Sequence, residues 1–217
     1  MVDKVIERIS YSPYKLEFAK NVFIRICNSL YNNQIEITDK FENIVDFMIK
    51  WAHSVDGDLT KQQLNKAIGL IGNTGSRKTF LFKALQRYMT IDDIKYKRLN
   101  KILSFNFKII SSRKIGMEYE QTGYEIINKY SMLNILCIDD LGAEENCYIH
   151  FGNKCNIIES IFEERDLANK ITHFSSNLNI LKYPEIFIDK YGERVYSRVI
   201  KNTNIIELND KDFRLIS

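Results

Sequence analysis

The chain has 217 residues, 45% hydrophobic and 27% charged, with 31 Lys and Arg against 28 Asp and Glu for a formal net charge of +3. That length supports one full core with a smaller appendage, and the near-balance of charge argues against a molecule drawn as a whole to nucleic acid. A charged start, MVDKVIERIS, and the lack of any apolar run able to cross a bilayer lead us to expect a soluble cytoplasmic protein with no membrane attachment.

Ser12 followed by Pro13 has the form of a helix start, cap then first-turn proline. Leu16, Ala19, Phe23, Ile26, Cys27 and Leu30 follow at helical spacing. A second helix is expected from Asp39, with Glu42 three residues on as in a capping box and a stripe of Phe41, Ile44, Val45, Met48, Trp51 and Ala52. The polar stretch from His53 to Lys66, with Asp56, Gly57 and Asp58, reads as a linker. Residues 1–60 are therefore expected to form a helical partner-binding region and 61–217 an α/β core.

Ala67 to Ile71 is a short apolar run suited to a buried strand. It leads into Gly72, Asn73, Thr74, Gly75, Ser76, Arg77, Lys78 and Thr79, and a breaker-free helix follows from Thr79 to Gln86. Strand, glycine loop and helix are the setting of a phosphate-binding loop, in which backbone N–H groups converge on an anion at a helix N-terminus. Lys78 would reach the outer phosphates of ATP and the Thr79 hydroxyl would ligate Mg2+. Arg77 stands where such loops carry glycine. A side chain there costs on the order of a kcal/mol if the torsions are left-handed, while its guanidinium could add a charge-assisted contact to phosphate. Turnover is therefore the open question for this loop.

Beyond the loop, Lys95, Lys97, Arg98 and Lys101 open an acid-free basic stretch that offers a contact for single-stranded DNA, although a solvated lysine face is the simpler reading. Alternating elements then argue a parallel sheet covered by helices. Strands are expected at Phe105–Ile110, Ile135–Ile138, Ile171–Phe174 and Ile205–Leu208, and helices at Met117–Tyr130, with a break near Gly123, and at Asn156–Asp166. Cys147, His150 and Cys155 give only three ligands in one loop, so zinc is not expected, and the four cysteines should be reduced.

Asp139 and Asp140 end the apolar strand at 135–138, where one carboxylate can serve the metal and its neighbour the attacking water. Asp139 is assigned the metal side and Asp140 the water side, with Glu144 the alternative base. Asn177, after the next strand, would lie beside the γ-phosphate as a sensor. Arg194 and Arg198, four apart on one helix face, could offer a guanidinium to a neighbouring subunit's nucleotide.

The runs NILCIDDLGAE, YIHFGNKCNIIESIFEERD, THFSSNLN and YGERVYSRVI resemble the ATPase core of the DnaC-like replicative helicase loaders and the IstB-like transposition ATPases, especially versions on mobile elements and phages. The resemblance covers roughly residues 65 to 215. It implies an AAA+ P-loop core that binds ATP and Mg2+, self-assembles, handles single-stranded DNA, and partners a replicative helicase or a transposase. It places the first nucleotide motif at Lys78 and Thr79, the second at Asp139 and Asp140, the sensor at Asn177 and the finger at Arg198. With Ser217 following closely on the last strand, no helical lid is expected.

Overall fold

A computed structural model describes residues 8–9, 15–31, 35, 37–54, 59–98 and 101–208, without the side chains of 8, 9, 61, 62, 98 and 101. The expected helix start at Ser12–Pro13 and the linker residues Asp56, Gly57 and Asp58 lie outside the described residues.

In chain order the elements are β1 (Arg8–Ile9), α1 (Leu16–Tyr31), α2 (Asp39–His53), α3 (Lys61–Asn65), β2 (Ala67–Gly72), α4 (Lys78–Ile91), β3 (Lys95–Arg98), β4 (Lys101–Ser104) and β5 (Lys108–Ser111). They continue as α5 (Ser112–Thr122), α6 (Glu125–Ser131), β6 (Ile135–Leu141), β7 (Tyr148–His150), β8 (Asn153–Cys155), α7 (Ile157–Leu167), β9 (Ile171–Ser176), α8 (Pro184–Asn202) and β10 (Thr203–Leu208). The chain divides into two compact units, residues 1–66 with 80–106 and residues 67–79 with 107–217.

In the first unit α2 starts at Asp39 as read, but its cap is Thr38, whose Oγ1 accepts from Phe41 N at 3.2 Å. The α2 stripe is buried as its spacing predicts, and α1 buries Ala19, Phe23, Ile26 and Cys27 with Leu16 and Leu30 half-buried. Phe23 meets Tyr88 with ring centroids 5.8 Å apart, and Trp51 meets Phe105 at 5.3 Å. Within the expected linker, α3 forms because Thr60 and Gln63 make a reciprocal capping box. β1, β3 and β4 form an antiparallel sheet, registered by Arg8↔Tyr96 and Lys97↔Ile102.

The second unit holds a five-stranded parallel sheet in the order β10-β2-β9-β6-β5, an α/β architecture as expected. Because β9 separates β2 from β6, the carboxyl ends of these three strands are neighbours, which is where open α/β sheets bind ligands. β2 is buried along its whole length. The core runs through Ile71, Ile138 and Phe174 to Ile161, Phe187, Tyr191 and Val195.

Several boundaries differ from the sequence reading, among them the end of β6, which runs on through Asp139 and Asp140 to Leu141. The strand expected at Phe105–Ile110 is β5, three residues later, since Phe105 and Phe107 are buried outside any strand. The helix expected from Met117 starts at Ser112 because Ser111 caps it, Oγ accepting from Lys114 N, and Gly123 ends it as foreseen. A second hairpin, β7–β8, was not anticipated; its Tyr148 and His150 rings fill the space where Gly116 and Gly123 carry no Cβ.

Candidate functional site

The loop between β2 and α4 is shaped by its backbone. Gly72 has φ +148°, and a Cβ there would lie 2.0 Å from the Leu208 carbonyl oxygen, so the strand-to-loop turn admits no side chain. Arg77 has φ 65°, the left-handed region that favours glycine. Ser76 and Lys78 are buried and Asn73 and Thr74 exposed, with Gly75 and Arg77 between these extremes.

Lys78 Nζ donates to Gly72 O (2.8 Å), Asn73 O (2.8 Å), Ser76 Oγ (3.1 Å) and Asn177 Oδ1 (2.8 Å). One ammonium thus joins the loop to the residue that follows β9. Thr79 Oγ1 donates to Asp139 Oδ1 at 2.7 Å, joining the start of α4 to the end of β6. Both bonds follow from strand order, since β2, β9 and β6 are adjacent.

A β-bulge aims the two aspartates. Ile138 pairs with Phe174 and Leu141 with Ser176, so β6 carries one more residue than β9 across this interval. Asp140 absorbs it with φ 53°. Ser175 Oγ staples the bulge, donating to Asp139 Oδ1 at 2.5 Å and accepting from Asp140 N at 2.9 Å. Ser112 Oγ donates to Asp140 O at 2.8 Å. Ser175 and Ser112, both buried, were not singled out for the site from the sequence. Hydroxyls at the end of an apolar strand and the start of a helix were the only available hint.

Glu144 points elsewhere. Its buried carboxylate accepts from Gly142 N at 3.0 Å and from Tyr191 Oη. Arg194 and Arg198 likewise lie with α7, Arg194 3.4 Å from Glu163 and Arg198 3.1 Å from Asp166. The structure therefore brings together Lys78, Thr79, Asp139 and Asn177, with Asp140 adjacent, and leaves Glu144, Arg194 and Arg198 in other contacts.

A hydroxyl and a carboxylate within 2.7 Å of each other form the partial oxygen set that Mg2+ accepts while keeping waters and phosphate oxygens. Among the described residues no group of three or more His, Cys, Asp or Glu is arranged to hold a metal, and no disulfide joins the cysteines. In the first unit, Lys95 pairs with Asp93 at 2.8 Å and Lys97 is exposed, while the Arg98 and Lys101 side chains lie outside the described residues.

Solved structures share the fold of this chain. The structure titled DnaI superposes with a TM-score of 0.59 at 17% identity, covering 82% of this chain and 87% of its own. The DnaC helicase loader gives 0.59 at 14% identity, covering 81% and 93%. DnaA from Aquifex aeolicus bound to AMPPCP gives 0.54 at 17%, covering 83% of this chain and 50% of its own. The chain has the α/β fold of these structures. Within that fold the glycine loop after β2, the aspartate pair after Ile138 and Asn177 after β9 face one end of the sheet. No protein-family model matches the chain, and no curated protein matches at a significant level. Among the described residues no helix is long and apolar enough to cross a membrane.

Proposed function

We propose that the protein binds ATP with Mg2+ and acts in DNA replication by loading or remodelling a replicative helicase on single-stranded DNA. The observation that carries this reading is the convergence of Lys78 on Asn177 and of Thr79 on Asp139. The residues from Gly72 to Thr79 would hold the phosphates, with Lys78 at the outer ones; Thr79 and Asp139 would ligate the metal. Magnesium, when bound, supplies neutralisation of the charge on the transferring phosphoryl group. Asp140 would orient or deprotonate water, Asn177 would sense the γ-phosphate, and Arg198, with Arg194 as the alternative, would reach a neighbouring subunit's nucleotide in a self-assembled state. Helicase loading is supported by the similarity to the DnaC loader, and the helical region at 1–60 is the proposed partner module; a transposase is the alternative partner.

Equilibrium ATP binding and phosphate release test the reading. Lys78→Ala should weaken binding by roughly thirtyfold, about 2 kcal/mol for a charge-assisted contact. Arg77→Gly should relieve about 1 kcal/mol of left-handed strain and strengthen binding or turnover. The torsion at Arg77 favours a second reading, an adaptor that has lost hydrolysis. If wild type neither binds nor hydrolyses ATP while Arg77→Gly does both, the enzyme reading is overturned and the adaptor stands. Loading further requires salt-dependent affinity for single-stranded DNA that drops when Lys95 and Lys97 are neutralised.

A further inference from the structure

The loop that leaves the aspartate pair is held to α8 by a set of buried contacts. Ala143 N donates to Asp140 O at 3.0 Å, so Asp140 sets the start of the loop. Glu144, 5% exposed, then turns its carboxylate inward, where Gly142 N and Tyr191 Oη donate to it and Lys190 Nζ lies 3.7 Å away. Lys190 Nζ also donates to Glu144 O at 2.6 Å and to Asn146 Oδ1 at 2.9 Å. Tyr191 is 1% exposed, and burial followed by the adjacent Glu144 pushes its hydroxyl pKa well up, so it remains a donor at all ordinary pH.

These contacts meet α8 at the one place where it is broken. Gly192, immediately after Tyr191, has φ 83° and ψ 154°, which no helix contains. The helix end before the break is anchored by Asn156, the cap of α7, whose Nδ2 donates to Lys190 O at 2.6 Å. The half of α8 beyond the break carries Arg194 and Arg198, paired with Glu163 and Asp166 of α7.

We propose that Glu144, Lys190 and Tyr191 are positioning residues that couple nucleotide occupancy of the Gly72–Thr79 loop and Asp139–Asp140 to the orientation of Arg194 and Arg198. This rests on the ATP-binding reading above and adds a regulatory connection to it. A buried Glu beside a buried Tyr has a purely structural use as well, so the test needs a signal that structure alone does not move.

The experiment uses the full chain, with backbone amide exchange over residues 184–202 measured with and without saturating ATP and Mg2+, alongside an independent binding isotherm. Wild type should show exchange in 191–202 altered about tenfold by nucleotide, an ordinary strength for coupling between two sites. Tyr191→Phe keeps the ring in the core and removes the donor; it should abolish that response while ATP affinity stays within about twofold. Glu144→Gln, which keeps an acceptor for Tyr191 but removes the charge facing Lys190, should reduce the response and serves if Tyr191→Phe folds poorly. A nucleotide-induced change that survives in both variants, or its absence from a wild type that binds ATP, overturns the coupling. A wild type that shows no binding isotherm removes the ATP reading, and the coupling with it.

Discussion

Ser175 bears on the site more than any residue the motifs name, because one hydroxyl serves both aspartates. It is fully buried, donates to Asp139 and accepts from the Asp140 backbone at the bulge. Ser175→Ala removes the hydrogen bonds to Asp139 Oδ1 and from Asp140 N, a cost of about 1 kcal/mol for each. Chemical denaturation should show that loss, and a denaturation midpoint equal to wild type would mean that the bulge holds without its staple. Lys78, Thr79 and Asp139 were legible in the sequence because a fixed spacing after an apolar strand encodes them. Ser175 was not legible as part of the site, since its role depends on β9 lying between β2 and β6, and strand order is a property of long-range pairing.

Among the elements, α7 shows the same division between pattern and placement. Its apolar face of Ile157, Ile158, Ile161 and Phe162 is buried as its periodicity predicts, yet the same face ends in a fully buried Arg165. The Arg165 guanidinium donates to Tyr130 O (2.9 Å), Leu133 O (2.6 Å), Ile171 O (2.5 Å) and Thr172 Oγ1 (2.8 Å), tying α7 to the starts of β6 and β9. Burial lowers its pKa to about 10, and among the described residues no carboxylate pairs with it. Arg165→Met should cost about 3 kcal/mol or more, since several carbonyls lose a donor they cannot replace inside the protein. Urea unfolding of Arg165→Met beside Asp166→Asn, a change at a half-buried neighbour, checks this, and equal losses would refute it. A periodicity argument sees an arginine as a surface residue and cannot anticipate such a knot. The β7–β8 hairpin escaped for a related reason: its turn uses Phe151 with φ 47° before Gly152, whereas Asn or Asp is the usual signal there.

Across the whole molecule the two units are discontinuous in sequence, since the loop and sheet of one interrupt the helices of the other. A fragment ending near residue 66 would separate Phe23 and Trp51 from Tyr88 and Phe105, the rings they pack against, so partner capture belongs with the full chain. The same composition supplies a selective probe, for Trp51 is the only tryptophan and is fully buried in the first unit. His53, two residues on, has Nε2 2.6 Å from Tyr88 Oη and 3.3 Å from Asp92 Oδ2. Burial pushes its pKa below the ordinary 6.5, with the Asp92 carboxylate acting in the opposite direction. A base whose folded pKa is depressed is protonated more readily in the unfolded chain. The unfolded state therefore takes up protons first, and the stability contribution present above pH 6.5 is lost progressively as pH falls from there through the folded value. Urea midpoints read from Trp51 fluorescence should decline as pH falls below 6.5, and His53→Gln should flatten that decline while lowering the midpoint at neutral pH. Parallel pH curves for wild type and His53→Gln would show that the acid sensitivity of the first unit arises from other groups.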